Sequence, residues 1–288
     1  ISIAGDISSD QAGKDSFQEI DQQKLFEPIT KKTWTVNKIN EIPKIISNAF
    51  KLVLSQRNGP VHINFPRNIL SKTYSFKKFK KHKDSKITQA SREEISKTIH
   101  LLKESSNPVI IAGAGIKNTK GDKEVVSIAK KLNIPIVTSA GHGDALSSAE
   151  NLYAGQMGPR GNIVATNLVK KADVILALGT RLGFNSTFFS YKYINKKALI
   201  IQVDIEPRSL GRYFPITIGI CADTKTFAKQ LYKKLSKIKN LKKTKVWTNN
   251  FLKEKKIYLK KRDGDAHFIY PIQPTALFKI LRETLPSN

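Results

Sequence analysis

Short apolar runs alternate with longer amphipathic segments along much of the 288-residue chain. The runs Val174–Leu178 and Leu199–Val203 are apolar throughout, which is typical of strands buried on both faces of a parallel sheet. The same pattern predicts strands at 109–112, 134–137 and 216–220, and helices at 91–107, 122–132, 161–170 and 224–235. Strands that alternate with helices of this length predict βαβ units. We therefore expect an α/β fold with a doubly wound parallel sheet.

The segment before this alternating region has a pattern of its own. Residues 1–14 are rich in Gly, Ser and Asp and predict a loop. A strand at 33–36, a helix at 42–56 and a strand at 61–65 are predicted after it. This order predicts that 1–70 form the C-terminal part of a preceding α/β domain. Because the chain begins without Met, we expect it to be a piece of a longer protein.

Two basic segments separate the predicted domains. Residues 71–90 contain few aliphatic side chains, and 237–267 are rich in Lys and irregular, so both are predicted to be linkers. The central domain is then expected at 91–236. A last helix is predicted at 275–285, and we expect 268–288 to begin a third domain.

The formal net charge is +27, from 50 Lys and Arg against 23 Asp and Glu. Such a charge invites a nucleic-acid hypothesis, but the cations are mostly Lys and are spread along the chain. Base and phosphate recognition favours clustered Arg. We therefore expect no nucleic-acid partner.

No apolar run approaches the roughly 18–20 residues of a membrane span, no secretory signal is evident, and a single cysteine, Cys221, fits a reducing compartment. These features predict a cytoplasmic protein without a membrane partner.

Glycines and charged residues follow three of the predicted strands, where ligands of doubly wound sheets lie. Gly113 and Gly115 follow the first, Gly179 and Arg181 the strand at 174–178, and Asp204 the next one. Glycines admit a phosphate to backbone N–H groups, a guanidinium suits a phosphate or a flat ring, and a carboxylate suits a ribose. Together they predict a nucleotide-type pocket. The alternative for Gly113 and Gly115 is a tight strand-to-helix turn.

Two other stretches carry candidate chemistry. The glycine-rich loop 155–162 with Arg160 suits an anion, or is simply a flexible connection. His142 and Asp144 lie after the strand at 134–137, where His142 is either a donor at a site edge or a structural residue. The loop Asp263–Asp265 resembles a metal loop but follows a lysine-rich segment. No spacing of His, Cys and carboxylates indicates zinc, so no metal site is predicted.

Several phrases of the sequence resemble the thiamine-diphosphate-dependent enzymes of the acetolactate synthase type. They are DSFQEID, PITKKTW and GPVHINFPRNI within 1–70, and ADVILALGTRL, ALIIQVDIEP and ITIGICADTK within 91–235. Enzymes of this family have a pyrimidine-binding domain, a central domain and a pyrophosphate-binding domain. The resemblance assigns 1–70, 91–236 and 268–288 to parts of these three domains. It implies a Rossmann-type (DHS-like) fold for the central one.

The resemblance also implies a reaction. The phrases HGDA, GTRL and IGICADTK are most similar to sulfoacetaldehyde acetyltransferase, which implies conversion of sulfoacetaldehyde and phosphate to acetyl phosphate and sulfite. ITKKTW and GPVHINFP are equally similar to acetolactate synthase, which implies decarboxylation and carboligation of pyruvate for branched-chain amino-acid synthesis. A stand-alone nucleotide-binding regulatory module is the alternative from another class.

Cofactors and site residues follow from the same resemblance. Thiamine diphosphate and Mg²⁺ are implied for the full-length enzyme, but the family's activating Glu and its magnesium motif lie outside these 288 residues. We therefore expect no catalytic or metal residue here, and no activity of the fragment alone. Phe17 and Gln18 would border the active site across a subunit interface, with Lys31 near its entrance. This arrangement implies a homodimer or homotetramer that acts on a small-molecule substrate.

The central domain holds FAD in acetolactate synthase, ADP in some relatives and nothing in others. By matching motif, this pocket would be lined by Gly113, Gly115, Met157, Gly161, Gly179, Arg181, Asp204 and Asp223. Acetolactate synthases have G-A-R-F-D-D-R where this chain has GTRLGFN at 179–185, a departure that bears on FAD binding.

Overall fold

The computed structural model describes residues 1–76, 87–238, 244–264 and 270–286, which form two compact units, 1–86 and 87–288. The boundary falls within the predicted linker 71–90, of which 77–86 lie outside the described residues. The end of that segment is docked on the C-terminal unit. The carbonyl oxygen of Thr88 accepts from the N–H of Asp223 (2.9 Å), and the backbone of Ala90 exchanges two hydrogen bonds with the Gln230 amide.

The N-terminal unit is a three-stranded parallel sheet in the order β1-β3-β2. Its elements are β1 (Ser2–Asp6), α1 (Gln22–Phe26), β2 (Thr33–Thr35), α2 (Ile42–Leu54), β3 (His62–Pro66) and α3 (Arg67–Leu70). Alternate residues of β3 point to opposite faces. Ile63 and Phe65 join the apolar core with Ile45 of α2, whereas the ring of His62 stacks on Phe26 at 3.9 Å.

The prediction of a loop over 1–14 is wrong for its first part, because Ser2–Asp6 form β1. Every residue of β1 is in register with β3, from Ser2 opposite His62 to Asp6 opposite Pro66. This strand is specified by backbone pairing with a segment some sixty residues away, and its Gly and Ser content carries no strand signal.

The C-terminal unit contains a six-stranded sheet in the order β6-β5-β4-β7-β8-β9, in which all neighbouring strands are parallel. The strands are β4 (Pro108–Ala112), β5 (Ile136–Thr138), β6 (Tyr153–Gln156), β7 (Val174–Leu178), β8 (Leu199–Asp204) and β9 (Ile218–Cys221). The chain begins at the centre with β4, winds outward to β6, and returns to the centre at β7. This is the predicted doubly wound topology, and it is confirmed.

Helices cover both faces of this sheet. They are α4 (Arg92–Glu104), α5 (Ala114–Thr119), α6 (Asp122–Leu132), α7 (Ile163–Lys171), α8 (Phe184–Thr187) and α9 (Thr224–Leu235), followed by α10 (Lys245–Gly264) and α11 (Pro274–Thr284). Ile110 of β4 packs in one apolar cluster with α4, α6 and α9, and Ile111 packs in another with α7 and α10. Burial on both faces explains why β4 and β7 are apolar at every position.

The second predicted linker, 237–267, is not irregular, because α10 occupies twenty of its residues; 239–243 and 265–269 lie outside the described residues. The ring of Phe251 is 1% exposed in the sheet core. The indole N–H of Trp247 donates to the carbonyl oxygen of Pro108 (2.9 Å), and Thr248 Oγ1 donates to that of Asn133 (2.6 Å). The many lysines of this segment hid an apolar stripe at helical spacing, which anchors α10 at the amino ends of β4 and β5.

The helices predicted at 122–132 and 224–235 are confirmed to the residue, and that at 275–285 is confirmed as α11 with a shift of one residue. Among the residues described, no helix combines the length and the apolar character needed to cross a bilayer.

Candidate functional site

The carboxyl ends of β4 and β7 meet at the point where the strand order of the C-terminal unit reverses. In doubly wound sheets this switch point is where ligands bind. Gly113 directly follows β4, and Gly179 directly follows β7. The fold therefore brings two of the predicted turns together at one edge of the sheet.

Backbone packing explains the glycines of these turns. The N–H of Gly113 donates to the carbonyl oxygen of Leu178 (2.9 Å), and the N–H of Gly115 donates to that of Gly179 (3.0 Å). A Cβ atom on Gly113 would lie 2.4 Å from the Gly179 oxygen, and one on Gly115 would lie 2.6 Å from the Gly179 Cα. The glycines thus permit two chain segments to touch, and their N–H groups are engaged inside the protein. This geometry fits the tight-turn alternative and does not fit a phosphate cradle.

The charged residues after the strands differ in how they are engaged. Arg181 is exposed and makes no hydrogen bond or ion pair with the part of the chain that the structure describes. Asp204 is buried, and its Oδ1 accepts from the N–H of Glu206 (2.9 Å). Asp223 caps α9 by accepting from the N–H of Thr226 (2.7 Å). Both carboxylates support backbone turns, and Arg181 is the cation that is open to a ligand.

The loop after β6 packs against α8. Met157 is fully buried in the apolar cluster below α7, so its side chain points away from the edge of the sheet. A Cβ atom on Gly161 would lie 2.3 Å from the Gln156 carbonyl oxygen, and one on Gly158, whose φ is +112°, would lie 2.9 Å from that of Ser186. These glycines too are required by close backbone contacts.

The structure reveals a polar group beyond β5 that the sequence did not predict as a unit. The hydroxyls of Thr138 and Tyr153 are hydrogen bonded at 2.9 Å, and burial raises the pKa of Tyr153. Lys117 forms an ion pair with Asp144 (2.6 Å), which lowers the pKa of that carboxyl. The pKa of His142 is lowered by burial and then by Lys117. The charges are paired with each other, which fits the structural alternative for His142. Tyr153 lies on β6, a strand of only four residues that was not predicted from the sequence.

Aromatic rings dominate the segment that follows Arg181. Phe184 is 54% exposed, and its ring lies 4.7 Å from that of Phe188 and 5.7 Å from that of Phe189. Phe188 and Phe189 both have left-handed backbone angles. The hydroxyl of Thr187 is fully buried and donates to the Leu182 carbonyl oxygen (2.9 Å). The departure from GARFDDR therefore replaces charged residues at this edge by a structured aromatic surface.

Phe17, Gln18 and Lys31 belong to the N-terminal unit. Phe17 is 88% exposed, and Gln18 is exposed with a φ of +65°. Lys31 Nζ donates to the carbonyl oxygens of Leu52 (2.9 Å) and Ser55 (2.8 Å) at the end of α2. A cation at a helix C-terminus is stabilising, so Lys31 has a structural role here in addition to any role at a site.

No group of three or more His, Cys, Asp or Glu side chains in the described ranges is arranged to hold a metal ion. Asp265 of the Asp263–Asp265 loop lies outside those ranges. For a nucleotide in the central domain, the N–H groups of the glycine turn are already engaged, whereas Arg181 is open to a ligand.

The chain is similar in sequence to known proteins. Residues 95–231 match the family "Thiamine pyrophosphate enzyme, central domain". The chain is 31% identical to the acetolactate synthase large subunit of Buchnera aphidicola subsp. Schizaphis graminum, over 98% of this chain and 50% of that protein. It is 29% identical to the probable acetolactate synthase large subunit of Methanocaldococcus jannaschii, over 99% and 48%.

A second kind of relative matches over a shorter range. The sulfoacetaldehyde acetyltransferase of Roseovarius nubinhibens is 31% identical, over 78% of this chain and 37% of that protein. The chain spans about half the length of the two synthases that it matches. The doubly wound sheet, the glycine turns at its switch point and these matches agree with one another. Residues 95–231 therefore belong to the family of thiamine pyrophosphate enzyme central domains.

Proposed function

We propose that the protein containing this chain is a thiamine-diphosphate- and magnesium-dependent enzyme that transfers acyl groups or joins carbon atoms. The observation that carries this proposal is the match of 95–231 to the family's central domain on a confirmed doubly wound sheet. When bound, thiamine diphosphate supplies a carbanion that adds to a carbonyl and an electron sink for the resulting charge. The groups that hold it come from parts of the protein outside this chain.

Within this proposal the N-terminal unit supplies residues that border the active site. Phe17 and Gln18 project from a loop into solvent, as residues that meet a second subunit would. Lys31 near the entrance remains a prediction, because its ammonium group caps α2. The proposed assembly is a homodimer or homotetramer in the cytoplasm, and light scattering on the purified protein measures its size.

In this proposal the central domain has a mainly structural role, and its glycine turns bind a ligand weakly or not at all. Gly113, Gly115, Gly161 and Gly179 serve close backbone packing, and Asp223 caps α9. Among the residues of the predicted pocket, Arg181 is the one we propose for contact with FAD or ADP. A visible absorption spectrum of the purified protein tests FAD, and bound adenine nucleotide is released by acid and identified by chromatography.

Acetolactate synthase is the reaction we propose first, because the two synthases match almost the whole chain and the acetyltransferase matches 78% of it. Sulfoacetaldehyde acetyltransferase is the second candidate. The phrases GTRL and IGICADTK, and the aromatic surface in place of GARFDDR, favour it.

One pair of assays separates the two reactions. The natural full-length protein is incubated with thiamine diphosphate and Mg²⁺, first with pyruvate and then with sulfoacetaldehyde and phosphate. Formation of acetolactate supports the first candidate, and phosphate-dependent formation of acetyl phosphate with sulfite supports the second. Chelation of Mg²⁺ should abolish either activity. Turnover of neither substrate pair contradicts both candidates.

A further inference from the structure

The loop at residues 7–21, which joins β1 to α1, is held by side chains that accept from its backbone. Asp6 Oδ1 accepts from the N–H of Ile7 (2.8 Å). Asn68 Oδ1 accepts from both the N–H (3.1 Å) and the hydroxyl (2.9 Å) of Ser9. The loop is thereby fixed at its base to β1 and to α3.

Glu19 holds the far end of the same loop. Its Oε1 accepts from the N–H of Gly13 (2.5 Å), and its Oε2 accepts from the N–H of Ser16 (2.9 Å). Hydrogen bonds from N–H groups to a carboxylate are stronger than those to a neutral acceptor. One carboxylate therefore bridges two points of the backbone that lie three residues apart.

The backbone between these points adopts conformations that need such support. Gly13 has a φ of +76°, Asp15 of +53° and Gln18 of +65°. For a residue other than glycine, a left-handed conformation is unfavourable and persists only where its surroundings impose it. Glu19 closes the loop on both sides of Asp15 and directly follows Gln18, so its two carboxylate hydrogen bonds support these angles. The Ser16 hydroxyl, which donates to the Gln11 carbonyl oxygen, and the Glu19 N–H, which donates to that of Ser16, close the same loop.

The result is a loop tip that presents Phe17 to solvent. The ring is 88% exposed, although a large apolar side chain on an unsupported loop would gain by folding back. We propose that Glu19 is a positioning residue, which acts through the backbone of 13–18 to hold Phe17 and Gln18 in the orientation they need at the active site. This inference rests on the proposed function for the role of Phe17 and Gln18, and on the geometry of the loop for the role of Glu19.

Two measurements on the natural full-length protein test this inference. Glu19→Ala removes both acceptors, and hydrogen–deuterium exchange of peptides that cover 7–21 should then be faster by about tenfold or more. Glu19→Gln keeps one acceptor and should give an intermediate rate. Glu27→Ala is the matched control, because Glu27 is exposed and its side chain makes no hydrogen bond within the residues described. Exchange of the peptide that contains β3 should be unchanged in all three variants, which verifies folding.

Kinetics of the same variants show whether the loop acts through Phe17. Glu19→Ala should lower kcat/KM by about tenfold or more through misplacement of the loop, whereas Glu27→Ala should not change it. Because Glu19 is proposed to act through Phe17 as well as Gln18, Glu19→Ala should lower kcat/KM less in a Phe17→Ala background than in the unsubstituted protein.

Several results would overturn the inference. Unchanged exchange over 7–21 in Glu19→Ala would show that the carboxylate does not hold the loop. Full additivity with Phe17→Ala would show that Glu19 does not act through that residue. Lack of any thiamine-diphosphate-dependent turnover by the unsubstituted protein would overturn the proposed function and the active-site role of the loop, while exchange would still report whether Glu19 holds it.

Discussion

The two units each place a turn after a parallel strand, and the two turns are held in different ways. After β4, the N–H groups of Gly113 and Gly115 donate to the carbonyl oxygens of Leu178 and Gly179, at the end of β7. After β1, the N–H groups of the 7–21 loop donate to the side chains of Asp6, Asn68 and Glu19. The N–H groups of the first turn thus bind backbone carbonyl oxygens, whereas those of the second bind side-chain carboxylates and an amide.

This difference teaches how to interpret glycines after a strand. A phosphate can bind only N–H groups that are not already donating within the protein. In the Gly113–Gly115 turn the glycines serve the contact with Gly179, so the motif indicates packing. In the 7–21 loop side chains engage the backbone, which leaves Phe17 and Gln18 at the surface. The exposed candidate residues Phe17 and Gln18 therefore lie in the loop that has fewer glycines.

The largest expected effect comes from adding a methyl group to the backbone-held turn. Gly113→Ala and Gly115→Ala should each lower the free energy of unfolding of the C-terminal unit by about 2–3 kcal/mol, because the new Cβ atom meets backbone atoms that cannot move aside independently. Urea unfolding followed by the fluorescence of Trp247, in a Trp34→Phe background, measures it.

Gly143→Ala is the matched control for this experiment. It lies in another turn at the same edge of the sheet, and its Cβ would meet nothing closer than 3.7 Å. We expect a change within about 0.5 kcal/mol, as for most unstrained surface substitutions. An equally small effect of Gly115→Ala would contradict the close-packing explanation.

Removal of Asp6 should have the next largest effect, because Asp6 holds the base of the 7–21 loop. Asp6 Oδ2 accepts from the Asn64 side-chain N–H (2.6 Å), and Asn64 is 2% exposed with its Oδ1 unpartnered among the described residues. Asp6→Ala leaves that buried amide without a partner, which should lower the free energy of unfolding of the N-terminal unit by about 2 kcal/mol. Trp34 fluorescence in a Trp247→Phe background follows this unit.

A double substitution shows whether the buried amide is the cause. In Asp6→Ala/Asn64→Ala both partners are gone, so the loss of stability should be smaller than the sum of the two single losses. Simple additivity would mean that Asp6 stabilises β1 by a route other than Asn64.

The comparison also shows which parts of the molecule the sequence can predict. The strands β4 and β7 were predicted because burial on both faces makes every position apolar, a signal that is local in the chain. The strand β1 was not, because its register with β3 depends on residues far away in sequence. The helix α10 was missed because the lysines that surround Trp247 and Phe251 dominate its composition.

The candidate site was predicted less completely than the fold. The positions of Gly113, Gly179 and Arg181 at one edge followed from the topology, but a Gly-x-Gly spacing is the same whether the N–H groups face a phosphate or a carbonyl oxygen. Phe17 and Gln18 came from the resemblance alone. Glu19 was not singled out, because the hydrogen bonds that give it a role depend on loop angles that composition does not encode.

Side chains also hold turns in the C-terminal unit, and the turn at Thr187 tests how much such support stabilises that unit. The Thr187 hydroxyl is fully buried, donates to the Leu182 carbonyl oxygen and accepts from the N–H of Phe189 (3.1 Å). Thr187→Val keeps the shape and removes both hydrogen bonds, so we expect a loss of about 1–2 kcal/mol in urea unfolding. Thr226→Val is the control, since its hydroxyl makes no hydrogen bond to the described part of the chain and we expect little change. Equal effects would mean that the buried hydroxyl does not hold the aromatic segment.

The smallest effect is a difference in pH dependence between the 7–21 loop and the Gly113–Gly115 turn. The N–H groups of Gly13 and then Ser16 lower the pKa of Glu19 below its ordinary value of 4.5. Since the ionised carboxylate is the better acceptor, the loop should be held at every pH above 4.5 and should loosen only as the pH falls through the lowered pKa. Amide chemical shifts of Gly13 and Ser16 in an NMR titration follow this change. The Gly115 amide donates to a carbonyl oxygen that does not titrate, so its shift should stay constant over the same range. A titration midpoint of the Gly13 and Ser16 signals at or above pH 4.5 would show that these N–H groups do not lower the pKa of Glu19. Movement of the Gly115 signal together with the other two would show that the two turns do not differ in the way described.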